Sequence, residues 1–221
     1  MSIAVIFDMD GLIFDTERVF ADMERRIAKE WSLDDIDEVI NESYGVNHIA
    51  VKALYMRKYG ENFLYENFHK TTLQYVKEYL AENGIPKKYG LYEILDYLDE
   101  IGCKKAIGTS TFGQHAIPLL KSTGIYDRFD SVITGDMVEK SKPEPDIFLK
   151  AAESINKEPV ECIVLEDSFS GIKAAYNAKM IPIMIPDLRK PTQEIIPFTY
   201  AICDTLVDAI DIISEINENH I

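Results

Sequence analysis

The chain has 221 residues, 47% of them apolar and 10% aromatic, which is enough to bury a core and excludes disorder as a global reading. Its 38 Asp and Glu outnumber 23 Lys and Arg, giving a net charge of −15. That balance speaks against nucleic-acid binding, which needs a basic patch, and against a polybasic membrane contact. It leaves open how so acidic a chain would accept an anionic substrate.

The first predicted element is a strand over Ile3 to Phe7. Between Thr16 and about Asn83 no strand candidate occurs, only helical patterns at Val19 to Trp31, Ile49 to Lys58 and Leu73 to Leu80. This stretch is too long for one crossover helix and reads as an inserted all-helical domain that returns near Gly84-Ile85-Pro86. Next comes a helix over Leu91 to Ile101, with apolar residues at 91, 94, 95, 98 and 101 and a stop at Gly102. A strand over Lys104 to Gly108 leads into a helix over Phe112 to Thr123 that ends at Gly124. Then follow a strand at Ser131 to Thr134 and a helix from about Pro145, a residue suited to a first helical turn. Further strands lie at Cys162 to Leu165, Ile181 to Ile185 and, with a weaker pattern, Tyr200 to Cys203. Leu206 to Ile216 reads as a closing amphipathic helix.

Strands this apolar, without polar alternation, suit a parallel sheet buried on both faces. The expected fold class is therefore α/β, a doubly wound (Rossmann-like) parallel sheet formed by 1–15 and 84–221, with the helical insert at 16–83. The N-terminal MSIAVIFDMDG has no basic region and reads as neither a signal nor a transit peptide. No stretch approaches the roughly 18 apolar residues of a membrane helix. Cys103, Cys162 and Cys203 lie far apart without a C-x-x-C, and the four histidines are scattered, so neither a disulfide framework nor a thiolate zinc site is expected. A cytoplasmic monomer is the expectation.

Ligands of an open α/β sheet bind beyond the carboxyl ends of its strands. There the sequence offers Asp8-Met9-Asp10-Gly11, then Thr109-Ser110-Thr111, then Ser141-Lys142-Pro143-Glu144-Pro145-Asp146, and Glu166-Asp167-Ser168. Each piece has an ordinary reading: a solvated turn, a helix N-cap, a surface lysine, or carboxylates at a helix start. Their conjunction at successive strand ends favours a phosphoryl site. Asp8 would attack phosphorus, and Asp10 would protonate the leaving oxygen and later take the proton from water. Asp8 and Asp167, with Glu166 or the Asp10 carbonyl, form an oxygen-only set suited to Mg²⁺. Thr109 and the Ser110 amide would bind the transferring oxygens, with Lys142 as a point charge beside them. A divalent cation and Lys142 would also offset the acidic rim.

On these four ordered motifs the sequence resembles the haloacid dehalogenase superfamily, in the helical-cap branch of sugar-phosphate phosphatases and β-phosphoglucomutases. The resemblance covers residues 1 to about 190 and is weakest within the insert. It implies the same roles: Asp8 as nucleophile, Asp10 as acid and base, Thr109 and Lys142 for phosphate, and Asp8, Asp10 and Asp167 around magnesium. The insert would be a cap closing over the site. A dehalogenase lacks the second carboxylate that Asp10 supplies, so dehalogenation is disfavoured.

The substrate expected is a small phosphorylated metabolite, a sugar phosphate, hydrolysed through an aspartyl phosphate. The alternative is a sugar phosphomutase similar to β-phosphoglucomutase. Such mutases share Gly45-Val46 but carry Arg where His48 stands, His where Phe20 stands and Lys where Phe112 stands, whereas Lys77 matches them. Three departures against one match favour the phosphatase. Trp31 and the tyrosines of the insert are expected to pack its helices.

Overall fold

The computed structural model describes residues 3–44 and 48–219, and the chain divides into two compact units, Asp15–Pro86 and the remainder, Met1–Phe14 with Lys87–Ile221. In the larger unit the described strands are β1 (Ala4–Phe7), β2 (Lys104–Gly108), β3 (Ser131–Ile133), β4 (Cys162–Glu166), β5 (Ile181–Met184) and β6 (Ala201–Ile202). All pair in parallel in the order β3-β2-β1-β4-β5-β6. Every residue of β1 and β4 is buried, the arrangement that the unbroken AVIF and CIVLE runs require. The sheet and its helices make this an α/β, Rossmann-like fold.

Helices α5 (Leu91–Glu100), α6 (Gly113–Ser122), α7 (Asp146–Ser154), α8 (Phe169–Asn177) and α9 (Asp208–Asn219) accompany the sheet. Apolar residues of α7 and α8, including Phe148, Ala151, Ala174 and Ala175, pack with Ile6, Ala106 and Val164 in one buried cluster. Phe148 is fully buried there, and truncating such a ring costs about 3–5 kcal/mol. Among the described residues no helix is long and apolar enough to cross a membrane.

The smaller unit consists of α1 (Thr16–Glu30), α2 (Ile36–Ser43), α3 (His48–Tyr59) and α4 (Tyr65–Asn83). Ile27, Ala28, Val39, Ile40, Tyr55 and Phe68 form its buried centre. Trp31 meets Phe63 and Phe68 edge-on at 6.4 and 5.7 Å between ring centroids, but it is 36% exposed and sits at the edge of this packing, not in its buried centre. Tyr55 is fully buried among Tyr59, Phe63, Tyr65 and Phe68. Helix α2 was not among the expected elements, although Ile36, Val39 and Ile40 fall at helical spacing and are buried; its first residue follows Asp35, held at φ 55° instead of in a recognisable capping geometry.

One carboxyl of this unit is out of keeping with its surroundings. Burial pushes Glu24 up to about 7, against the lowering influence of Tyr55 and Arg25. A carboxyl whose pKa is raised on folding stabilises below its ordinary value, and that stabilisation is lost as pH climbs through the raised one. Stability should therefore fall between about pH 4.5 and about pH 7. Glu24→Gln should flatten this slope and stabilise the protein at pH 8 by about 1–3 kcal/mol in urea denaturation. Parallel stability–pH curves for the two proteins would contradict it.

Candidate active site

Strand register assembles the site. Phe7 of β1 lies opposite Leu165 of β4 and Ile107 of β2, so the next residues, Asp8, Glu166 and Gly108, stand side by side at the carboxyl edge of the sheet. The Asp8 N–H donates to the Leu165 carbonyl at 3.0 Å, extending the ladder by one rung. The order of strands reverses direction between β1 and β4, the place where open α/β sheets open a crevice.

The chain then turns sharply. Ile13 and Phe14 N–H groups both donate back to the Met9 carbonyl, at 2.9 and 3.2 Å, and Gly11 donates to Phe14 at 3.0 Å. Gly11 has φ +81°, and a Cβ there would strike the Asp167 carboxylate. Only glycine meets both demands without strain. Asp8, Glu166 and Asp167 each offer a carboxylate oxygen, all within 4.8 Å of one another. Three anionic oxygens that close are a donor set for a hard divalent cation.

Lys142 is the counter-charge. Its ammonium donates to Asp8 Oδ1 at 2.5 Å and to Glu166 Oε1 at 3.0 Å, and it lies 4.7 Å from the centre of the Phe148 ring. Burial pulls its pKa down, but Asp8 and Glu166 outweigh burial and the net shift is upward, so the ammonium stays charged. The Lys142-Pro143 peptide bond is cis. Glu166 is completely buried and also accepts from the Ser168 N–H at 2.5 Å and the Ser168 hydroxyl at 2.9 Å. Ser168 caps α8 by accepting from the Gly171 N–H at 3.1 Å, and a Cβ at Gly171 would overlap the Glu166 carboxylate. Burial raises the Glu166 pKa, Lys142 opposes it and Asp8 adds to it, leaving a net rise.

Asp10 faces the other way. Its carboxylate accepts from Thr111 Oγ1 at 2.6 Å, with Thr109 Oγ1 at 3.5 Å. Burial and then the charge of Asp8 raise its pKa, against the lowering influence of Thr111, Lys142 and Thr109. Two neighbouring carboxyls thus differ in environment: Asp8 is ion-paired to Lys142, and Asp10 is half-buried with its pKa raised. Such a pair is an acid/base constellation. The Asp10 carboxylate is not among the three carboxylates that cluster.

The buried Thr109 accepts at Oγ1 from the Thr111 N–H at 3.0 Å, while Ser110 is exposed on the same loop. Gly135 packs so closely on the Ser110 carbonyl that no side chain would fit, and its N–H donates to the Thr111 carbonyl at 3.1 Å. Asp8, Asp10, Thr109, Ser110, Lys142, Glu166 and Asp167 therefore gather at one rim. Two contributors went unassigned from sequence, Thr111 as the partner of Asp10 and Ser168 as the support of Glu166. The signal for Thr111 was only that it stands two residues beyond Thr109. Phe112 is 55% exposed and Lys77 is also exposed. Gly45, Val46 and the side chain of His48 lie outside the described residues.

A parallel sheet with an aspartate pair after its first strand and a buried lysine between carboxylates defines a class. Residues 5–185 match the haloacid dehalogenase-like hydrolase family, and the chain belongs to it. Among its relatives is a phosphorylated carbohydrates phosphatase of Thermotoga maritima, 33% identical over 180 residues, which span 79% of this chain and 81% of the relative. A beta-phosphoglucomutase of Bacillus subtilis is 28% identical, over 81% of each chain. The crystal structure of a candidate beta-phosphoglucomutase from Thermotoga maritima superposes with a TM-score of 0.78 at 27% identity, covering 98% of this chain and all of that one. Within this family the chain is a phosphoric monoester hydrolase.

Proposed function

We propose that this protein is a Mg²⁺-dependent phosphatase of a small phosphorylated metabolite, a sugar phosphate, acting through an aspartyl phosphate on Asp8. The observation that carries this reading is the contrast at one rim between a lysine-paired Asp8 and an Asp10 bonded to Thr111, whose pKa burial raises. A bare carboxylate would be repelled by a phosphate monoester carrying about −1.5 to −2 charges. Asp8, Glu166, Asp167 and the Asp10 carbonyl would hold the ion. They fit it because their oxygens converge within 4.8 Å in the case of the three carboxylates, and because hard oxygen ligands suit Mg²⁺. When bound, the ion would neutralise charge on the phosphoryl oxygens and so allow an anionic nucleophile to approach.

An Asp8 oxygen attacks phosphorus while Lys142, bonded to that carboxylate, holds it in place. The P–O bond to the leaving group breaks, and its oxygen takes the proton from Asp10. The Asp10 carboxylate then accepts a proton from water as that water attacks phosphorus, which releases phosphate and restores Asp8. Thr109 and the Ser110 amide bind the transferring oxygens. The helical unit Asp15–Pro86 acts as the cap that selects the leaving group. A sugar substrate is supported by the relative named for phosphorylated carbohydrates.

The test is a panel of phosphorylated metabolites with Mg²⁺, scored as kcat/KM, with β-glucose 1-phosphate plus its bisphosphate as the mutase arm. Phosphate should be released from one or more sugar phosphates, and EDTA should abolish the release until Mg²⁺ is restored. Activity indifferent to EDTA would refute metal dependence. Glucose 6-phosphate formed faster than free phosphate would make the protein a mutase.

A further inference from the structure

Lys88 and Asp187 are 99 residues apart in sequence and form an ion pair at 2.5 Å, with side chains 15% and 1% exposed. Desolvating two charges this far offsets most of their attraction, so the pair calls for a positional reason. Its two ends have one. Asp187 follows Ile185 and Pro186, and the Ile185 N–H donates to the Glu166 carbonyl at 2.8 Å. That end is registered on the carboxylate rim. At the other end the Lys88 N–H donates to the Ile13 carbonyl at 2.9 Å, and Lys87 bridges Phe14 in antiparallel fashion. Phe14 in turn bridges Asp10 and accepts the Gly11 N–H.

A closed path results. The turn carrying Asp10 is bonded to 13–14, these to 87–88, and the ion pair joins 87–88 to the segment that starts on Glu166. Among the described residues, Thr111 makes the one side-chain hydrogen bond under 3 Å to the Asp10 carboxyl, so the backbone path that carries Asp10 sets the rest of its placement. We propose that Lys88 and Asp187 are a positioning pair, which sets Asp10 relative to Asp8 and Glu166 so that its proton reaches the leaving oxygen. This rests on the reading of Asp10 as the general acid. The step itself is unchanged: the P–O bond breaks, and the proton on the Asp10 carboxyl moves to the departing oxygen.

A pair that merely stabilised the fold would affect every substrate alike. A pair that positions the acid would matter only where the leaving oxygen needs a proton. An alkoxide needs it; p-nitrophenolate, a weak base, does not. Asp187→Asn and Lys88→Met, assayed per folded enzyme with Mg²⁺, should lower kcat on glycerol phosphate or a sugar phosphate by about 10- to 100-fold. On p-nitrophenyl phosphate kcat should change by less than about threefold, as should KM for either ester. Lys88→Arg should restore most of the loss. Should a single variant fail to fold, the double variant Lys88→Met/Asp187→Leu, which leaves no unpaired charge, should show the same selectivity.

Amide hydrogen exchange supplies a readout independent of turnover. The Gly11 and Phe14 amides should exchange faster in the variants, with Phe7 unchanged. Equal losses on both esters, no loss on either, or unaltered exchange would overturn the proposal. If the wild-type enzyme cleaved neither ester, the reading of the reaction would fail by itself. Exchange would then decide the positioning claim alone, and unchanged rates would refute it.

Discussion

Asp8→Asn should abolish phosphate release, lowering kcat on the order of 10⁴-fold or more. The reason is chemical and not structural. An amide oxygen is a poor nucleophile toward phosphorus, while Asn keeps the size of the side chain and can still accept from Lys142, which bonds Asp8 at 2.5 Å. The rung from the Asp8 N–H to the Leu165 carbonyl is backbone and survives the change. The fold should therefore persist, and substrate affinity measured by calorimetry should change far less than turnover. A variant that released phosphate at even a tenth of the wild-type rate would exclude Asp8 as the nucleophile.

Lys142→Met should damage both turnover and stability. Lys142 is nearly buried and stands between Asp8 and Glu166. Removing one partner of a buried ionic cluster leaves uncompensated charge and costs about 3–5 kcal/mol. Turnover should fall about 10²- to 10³-fold through loss of the cation beside the reacting oxygens. The stability cost has a pH signature. Glu166 already has a pKa raised by burial, with Lys142 the largest opposing influence. Without that influence the pKa rises further. A raised carboxyl stabilises at low pH and loses that stabilisation as pH rises through its folded value. The deficit of Lys142→Met in urea denaturation should thus be largest at alkaline pH and shrink as pH falls. A deficit independent of pH would show that the lysine does not act through the ionisation of Glu166.

Much of the core was legible because its strands are buried on both faces. The apolar runs Ile3 to Phe7 and Cys162 to Leu165 read as strands, and in the structure they occupy Ala4–Phe7, starting one residue later, and Cys162–Glu166, ending one residue later. Once β1 and β4 pair in register, the adjacency of Asp8 and Glu166 follows without further information. Where the pattern was weaker the reading was poorer. The helix expected over Leu73 to Leu80 is the second half of α4, Tyr65–Asn83, whose first half buries Tyr65, Phe68 and Thr72, with only two of the three aromatic and the rest of the half polar or charged. Helix α2 is only eight residues long and begins without a side-chain cap.

The site's internal bonds were less legible than its membership. Strand ends bring residue types to a rim, but loop conformation decides which side chain meets which. Thr111 reaches Asp10 because the loop after β2 is fastened to Gly135. Lys142 reaches Asp8 across 134 residues of sequence through a loop of irregular backbone. Neither spacing encodes a periodicity that a linear reading could detect. The net charge of −15 also takes on local meaning. At the rim, Lys142 offsets one of three clustered carboxylates, and the remaining two charges match one divalent cation.

The central claim is a phosphoryl group carried covalently on Asp8, and rapid quenching during turnover tests it most directly. Wild-type enzyme mixed with Mg²⁺ and a cleaved sugar phosphate, stopped in acid and digested, should yield a phosphorylated peptide containing Asp8. Borohydride reduction should convert that residue to homoserine, and Asp8→Asn should give neither product. Phosphate released at the full rate with no phosphoryl group on Asp8, or with one on another residue, would contradict the account.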